Sequence, residues 1–145
     1  MKKYQIISLL SVFLFLSCNN NDYADSPLIG SWKAAKRKII SGSTNATLIE
    51  NQLSGCDTQV SYDFFVNGEF DYNNFCDNIR ETGKFKFGPN SMVITFYITV
   101  TGGDDQQAYQ NLHLLNTSTM EIINSKPDYD NDGIQDIYVT VFQKQ

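Results

Sequence analysis

From Leu28 onward the chain alternates apolar and polar positions with a period of two, the mark of half-buried β-strands. Between Met92 and Thr101, Met92, Ile94, Phe96, Ile98 and Val100 fall on one face. Val93, Thr95, Tyr97, Thr99 and Thr101 fall on the other. Ile137, Val139 and Val141 alternate with Tyr138, Thr140 and Phe142, a strand that is apolar on both faces. Asn67-Gly68, between Tyr62–Val66 and Glu69–Tyr72, is a two-residue hairpin signal. Gly88-Pro89-Asn90, Gly102-Gly103-Asp104-Asp105 and Asn116-Thr117-Ser118 punctuate the rest. The spacing predicts about eight strands in up-and-down order, near 29–41, 58–66, 69–76, 81–87, 91–101, 106–115, 119–124 and 136–143. Such a meander hides its edges by closing on itself. The expected fold is all-β: an eight-stranded antiparallel up-and-down barrel, whose interior suits packed side chains or one small ligand. Ser41 to Gly55 breaks the regular spacing. It is polar at first, then carries Leu48, Ile49 and Leu53, and reads as a lid or a short helix over the barrel mouth.

The N-terminus has a different pattern. Lys2 and Lys3 precede Ile6–Leu16, an apolar run of 11 broken only by Ser8 and Ser11. A bilayer needs about 20 apolar residues, so the run fits the core of a secretory signal better than a membrane span. It ends at Ser17-Cys18, followed by Asn19-Asn20-Asn21-Asp22. A small residue directly before a Cys at this place resembles the lipobox of bacterial lipoproteins. That resemblance implies cleavage before Cys18, a diacylglyceryl thioether on its sulfur and an acylated amino group. Two or three acyl chains together hold a protein stably at a membrane. The competing reading is ordinary secretion with an incidental Cys. Asn19 to Pro27 is polar and aperiodic, as a flexible tether would be. The expected organisation is a signal peptide over 1–17, lipidated Cys18 with its tether over 18–27, and the barrel domain over 28–145. Asp does not follow Cys18, so the inner-membrane retention signal of some bacteria is missing and the outer membrane is the expected location.

Cleavage leaves 128 residues, one domain's worth, and removes Lys2 and Lys3. The remaining charge is 9 − 16 = −7, which argues against nucleic-acid partners and against electrostatic docking on anionic lipid. Cys56 and Cys76 are then the remaining cysteines, and an oxidising compartment makes a disulfide between them the expectation. A single His in the chain makes a poor zinc site, and no CxxC redox motif occurs. That His, His113, sits on an expected strand, where such a residue is more often a packing or surface group than a base. No Gly-x-Ser-x-Gly elbow, P-loop or His-Glu-x-x-His is present, and enzymatic activity is not expected.

Asp128-Tyr129-Asp130-Asn131-Asp132-Gly133-Ile134-Gln135-Asp136 concentrates acids at alternate positions. With Asp128 as position 1, Asp130, Asp132 and Asp136 fall at 3, 5 and 9 and Gly133 at 6. Calcium takes six to eight oxygens, and this spacing curls carboxylates around one point, with the Ile134 carbonyl as a further ligand. Val139 stands where an EF-hand has its Glu, and strands rather than helices flank the loop. The loop resembles the hairpin calcium loops of integrin-like propeller repeats. A structural calcium held by Asp128, Asp130, Asp132, Ile134 and Asp136 is one reading. A solvated Asp/Asn turn is the other.

Leu28-Ile29-Gly30-Ser31-Trp32 opens the first strand. With Cys56, Phe64-Phe65-Val66-Asn67-Gly68-Glu69-Phe70, Cys76, Thr82-Gly83-Lys84-Phe85 and a last strand ending near Lys144, it resembles the lipocalin-like domains of small bacterial lipoproteins. The resemblance runs from about Leu28 to the end and implies a calyx with Trp32 plugging its closed end. In lipocalins an Arg on the last strand packs over that Trp. Here the last strand offers only Lys144, so a differently built closed end is expected. The leading expectation is a lipid-anchored protein holding a small apolar or amphipathic ligand against Trp32, Phe96 and Ile98. The rival is a solid barrel acting as a structural or interaction module, its interior filled by the rings of Tyr62, Phe64, Phe65, Phe70, Tyr72, Phe75, Phe85, Phe87 and Phe96.

Overall fold

The computed structural model describes Tyr23 and residues 25–145. Cys18 and the signal segment lie outside the described residues. Among the described residues there are nine strands: β1 (Gly30–Ile40), β2 (Thr47–Gln52), β3 (Val60–Phe64), β4 (Glu69–Asn74), β5 (Ile79–Gly88), β6 (Val93–Ile98), β7 (Gln106–Leu115), β8 (Thr119–Ser125) and β9 (Ile137–Lys144). A 3-10 helix, Gly55–Gln59, joins β2 to β3. All pairings are antiparallel. From β3 to β9 each strand pairs with the next, and β1 pairs with both β3 and β9. Eight strands thus close into a barrel, as the alternation predicts.

The ninth strand is β2, and it replaces the lid or helix expected over 41–55. Its cause lies in β1. The first half of β1, Gly30–Lys33, pairs with β3, while Lys36–Ile40 extends beyond it. That half would leave a row of backbone N–H and C=O groups open on one edge. β2 covers this edge with Ile49 opposite Ile39 and Asn51 opposite Arg37. Among the described residues no strand pairs with the outer edge of β2, which fits the mostly exposed residues of Thr47-Leu48-Ile49-Glu50-Asn51-Gln52. The β1–β2 hairpin and the start of β9 therefore stand above the barrel rim as a flap.

Rings fill the barrel below that flap. Trp32, Phe64, Phe70, Phe85, Phe96 and Phe142 are buried, together with Leu28, Ile94, Leu112, Met120 and Ile122. Phe96 meets Phe70 edge-on at 4.6 Å and lies 6.1 Å from Phe64, and Phe64 meets Phe85 at 5.0 Å. Such pairs contribute about 0.5–1.5 kcal/mol each beyond the area they bury.

The closed end is built on Trp32, whose Nε1 donates to the Leu28 carbonyl at 2.7 Å. Lys144 does stand over this ring, with Nζ 5.1 Å from its centre, and it donates to the Pro27 carbonyl at 3.1 Å. A last-strand cation, Lys144, therefore stands over Trp32. Gly30 is the residue that permits it. Its φ is +125°, and a Cβ there would lie 2.7 Å from Lys144 Cε. Tyr23 also packs on this end, its ring 4.9 Å from Phe85 and its hydroxyl donating to the Phe85 carbonyl at 3.1 Å. Packing onto the barrel thus begins by Tyr23, five positions before Leu28.

A second, smaller cluster lies on the outer wall, where Ile40, Val139 and Val141 are buried. Lys38 is paired in register with Val139, and Glu121 with Val141. The Lys38–Glu121 ion pair, at 2.8 Å, must therefore cross β9 above both valines. His113 Nδ1 lies 2.7 Å from the other oxygen of Glu121. A β-bulge between Leu112 and Leu114 turns His113 out of the alternation and toward that carboxylate. The only His is thus part of an outer-wall polar network.

Candidate functional site

The open end of the barrel is defined by where the rings stop. Tyr62, on β3, is the top of the aromatic stack: it lies 5.4 Å from Phe142, 5.8 Å from Phe96 and 4.6 Å from Tyr72. Above it the inward positions change chemistry. Gln110 on β7, Asn124 on β8, Thr140 on β9, Asn74 on β4 and Arg37 on β1 surround a cavity of about 200 Å³, with Tyr62, Tyr72 and Phe142 as its floor. Burial pushes the Tyr62 hydroxyl well above the ordinary phenol range, with the nearby Tyr72 and Glu81 adding to it. Burial also raises Tyr72. Both rings therefore stay neutral and keep an O–H to donate.

Arg37 faces inward because the chain shifts phase. A bulge between Ala34 and Lys36, against β9, moves the inward set from Trp32 and Ala34 to Arg37 and Ile39. Arg37 Nη1 lies 3.5 Å from Asp57 Oδ2, and both side chains are about two-fifths exposed. This is a loose rim pair worth little to stability. Asp57 sits on the 3-10 helix, which the Cys56–Cys76 disulfide ties to the β4–β5 turn with 5.3 Å between Cα atoms. The expected cystine is therefore formed in the structure. Asp57 Oδ1 also lies 3.8 Å from Cys76 Sγ, a contact rather than a hydrogen bond because a disulfide sulfur has no proton. Although Cys56, Asp57 and Cys76 converge, the bridged cysteines offer no thiolate to a metal.

The cavity shares Arg37, Leu53 and Asp57 with a larger groove of about 440 Å³ along the inner face of the flap. Ile39, Ile49, Leu53 and Tyr138 give this groove an apolar side. Asn51, Gln52 and Arg37 give it a polar one, and Tyr129 borders it from the β8–β9 loop. Asp136 holds that loop in place. Its carboxylate is out of contact with solvent and accepts from Gly42 N at 3.0 Å and from Tyr129 N at 2.8 Å. The Gly42 N–H, seconded by those of Tyr129 and Asp130, holds its carboxyl below the usual range against the opposing effect of desolvation.

Within the acidic loop, Asp128, Asp130 and Asp136 each bring one oxygen to within 4.8 Å of the others. Asp132 is not part of that group. It accepts from Ile134 N at 2.7 Å, Asp128 accepts from Gly133 N at 3.2 Å, and Asp130 accepts from Asp132 N at 3.3 Å. Backbone N–H groups thus already turn toward the carboxylates of this loop.

Of the residues expected to touch a ligand, Trp32 and Phe96 are buried and Ile98 packs against the same core. None of the three lines the cavity or the groove. The residues that do were not singled out as ligand contacts from the sequence. One signal could have found them: the pair Tyr62 and Tyr72 with amides at the strand ends.

No family model matches the chain and no curated protein matches it. Among solved structures, it is similar to the crystal structure of a lipocalin-like protein from Bacteroides uniformis. The two share 13% identity at a TM-score of 0.48, over 83% of this chain and 100% of that one. The barrel closure described above rests on this chain's own strand pairing.

Proposed function

We propose that the chain is an outer-membrane lipoprotein, anchored through an acylated Cys18, whose barrel mouth binds one small amphipathic ligand. One observation carries the ligand reading. The rings end at Tyr62, and the space above them opens from an amide-rich cavity into a groove with an apolar wall. The cavity alone is below the roughly 300–1,000 Å³ of drug-sized ligand sites. A ligand would place its polar part near Arg37, Asn124 and Thr140 and its apolar part along Ile39, Ile49 and Tyr138. The contacts expected from the alternation, deep in a hollow calyx at Trp32, Phe96 and Ile98, give way here to a site at the rim. Native mass spectrometry of the chain purified from the envelope tests this. A co-purified small molecule, absent from a Thr140→Trp variant that fills the cavity, supports it. A bare polypeptide mass moves the weight to the second reading, a solid interaction module, which the ring-filled interior favours.

We also propose that calcium binds the 128–136 loop as a structural ion. The convergence of Asp128, Asp130 and Asp136 supports this, since each carboxylate oxygen that accepts one N–H keeps a further lone pair. With Kd on the order of 10⁻⁴–10⁻³ M, 10 mM calcium would stabilise the fold by about 1.5–3 kcal/mol. The melting temperature should rise with calcium in the wild type and not in Asp128→Asn with Asp130→Asn. No rise in the wild type would leave a solvated turn.

A further inference from the structure

We infer that the barrel stands on the lipid surface with its closed end down and its mouth facing away. The inference rests on the lipid-anchor reading of Cys18 and goes beyond it. Tyr23 is fixed at the closed end by its ring on Phe85 and its hydroxyl on the Phe85 carbonyl. It follows Cys18 by five positions. Five residues span at most ~18 Å even when fully extended. β1 alone has 11 residues, and at about 3.3 Å per residue it runs roughly 36 Å from the closed end to the flap. An acyl group on Cys18 therefore cannot leave the closed end for the mouth.

Charge is unequal between the two ends in the same sense, with Asp25 and Glu69 the exposed acids beside the closed-end turns. The closed-end turns are Phe65-Val66-Asn67-Gly68, Pro89-Asn90-Ser91-Met92 and Asn116-Thr117-Ser118, and none contains an acid. The open-end segments carry Asp57, Asp77, Asp104 and the aspartates of the 128–136 loop, while Asp105 borders a wall groove that runs to Tyr23 and Gly68. Burying such a row against lipid would strip charged groups of water. Exposed apolar side chains occur at both ends, so they do not choose between them alone: Phe65 and Val66 are 44% and 53% exposed below, Phe75 67% above. Beside Phe75 stands Asp77, whereas next to the apolar pair Phe65-Val66 the one acid at the turn, Glu69, accepts from Asn67, and Lys84 and Lys86 are exposed on the nearby β5. Phe65 and Val66 are the side chains that reach the acyl boundary.

The acylated full chain, its N-terminal mass verified, is inserted into vesicles of brominated phosphatidylcholine, whose bromines quench nearby indoles. Three single variants report three positions: Phe65→Trp at the closed end, Tyr109→Trp on the wall and Tyr129→Trp at the mouth. Trp32 is common to all, and the wild-type signal is subtracted. All three positions are exposed, so the substitutions leave the core intact. The expected result is that Trp at 65 loses most of its fluorescence while those at 109 and 129 lose little. Quenching at 109 or 129 equal to that at 65, or none at any position, overturns the orientation alone. A purified chain with no acyl mass on Cys18 overturns the anchor and the orientation together.

Discussion

Removing the Cys56–Cys76 cross-link by paired substitution to Ser should cost about 3 kcal/mol. The cystine spans 20 positions, and closing a loop of that length restricts the unfolded chain by roughly that amount. Little native packing is lost with it, because Cys56 is exposed and Cys76 only partly covered. The effect therefore resides in the unfolded state. A domain of this size holds about 5–15 kcal/mol in total, so the loss is a large share. It corresponds to a fall in melting temperature of roughly 9–15 °C. The unfolded chain also becomes less compact, so the urea m-value should rise. Urea unfolding followed by circular dichroism, on the wild type with and without reductant and on the paired variant, measures all of this. A loss below about 1 kcal/mol, with no free thiol in the wild type, would refute the chain-entropy reasoning. Free thiols in the folded wild type would refute the cross-link itself.

Other expectations follow from the outer wall and the acid loop. Lys38→Met keeps the stem over Val139 and Val141 but leaves Glu121 with His113 alone, and should cost about 2 kcal/mol in urea unfolding, less than the loss at a fully buried pair because Lys38 is partly exposed. Adding Glu121→Leu should recover most of it, and no recovery would count against the pairing. Burial would raise the Glu121 carboxyl, but hydrogen bonds from Lys38 and His113 outweigh it and hold the carboxyl low; Asp136 is held low chiefly by the Gly42 N–H. Both folded values lie below unfolded values near 4, so their stabilisation is present above about pH 4 and is lost as pH falls through the lower folded values. Melting temperature against pH should therefore drop below about 4, and Glu121→Gln with Asp136→Asn should flatten that drop. An unchanged acid slope in the double variant would contradict the assignment.

The barrel was legible because the inward and outward sets differ in β6, where the period of two is clear, while β9 is apolar on both faces and β7 carries polar residues inward. Turn residues then located most boundaries. β2 was not legible because it pairs on one edge only and exposes most of its residues, so burial imposes little pattern on Thr47–Gln52. The mouth was obscured by the bulge between Ala34 and Lys36. A one-residue shift exchanges inward and outward positions. Counting from Trp32 by twos puts Lys36 inside and Arg37 outside, the reverse of what is found. The ring-filled interior was legible as the rival reading, and Phe64, Phe70, Phe85 and Phe96 do occupy it, but Phe65 and Phe75 do not: both fall in turns beyond the strand ends and are exposed. Lys144 over Trp32 needed three dimensions, since only the β1–β9 register brings the two residues opposite each other.

The most direct measurement is a set of amide NMR spectra of the chain, with and without a small-molecule extract of the bacterial envelope. A ligand at the mouth should give shifts that cluster at Arg37, Asp57, Tyr72, Asn124 and Thr140 and continue to Ile39, Ile49 and Tyr138, while the amides around Trp32 stay in place. Shifts centred on Trp32, Phe96 and Ile98, or a spectrum no extract changes, would contradict a ligand site at the mouth.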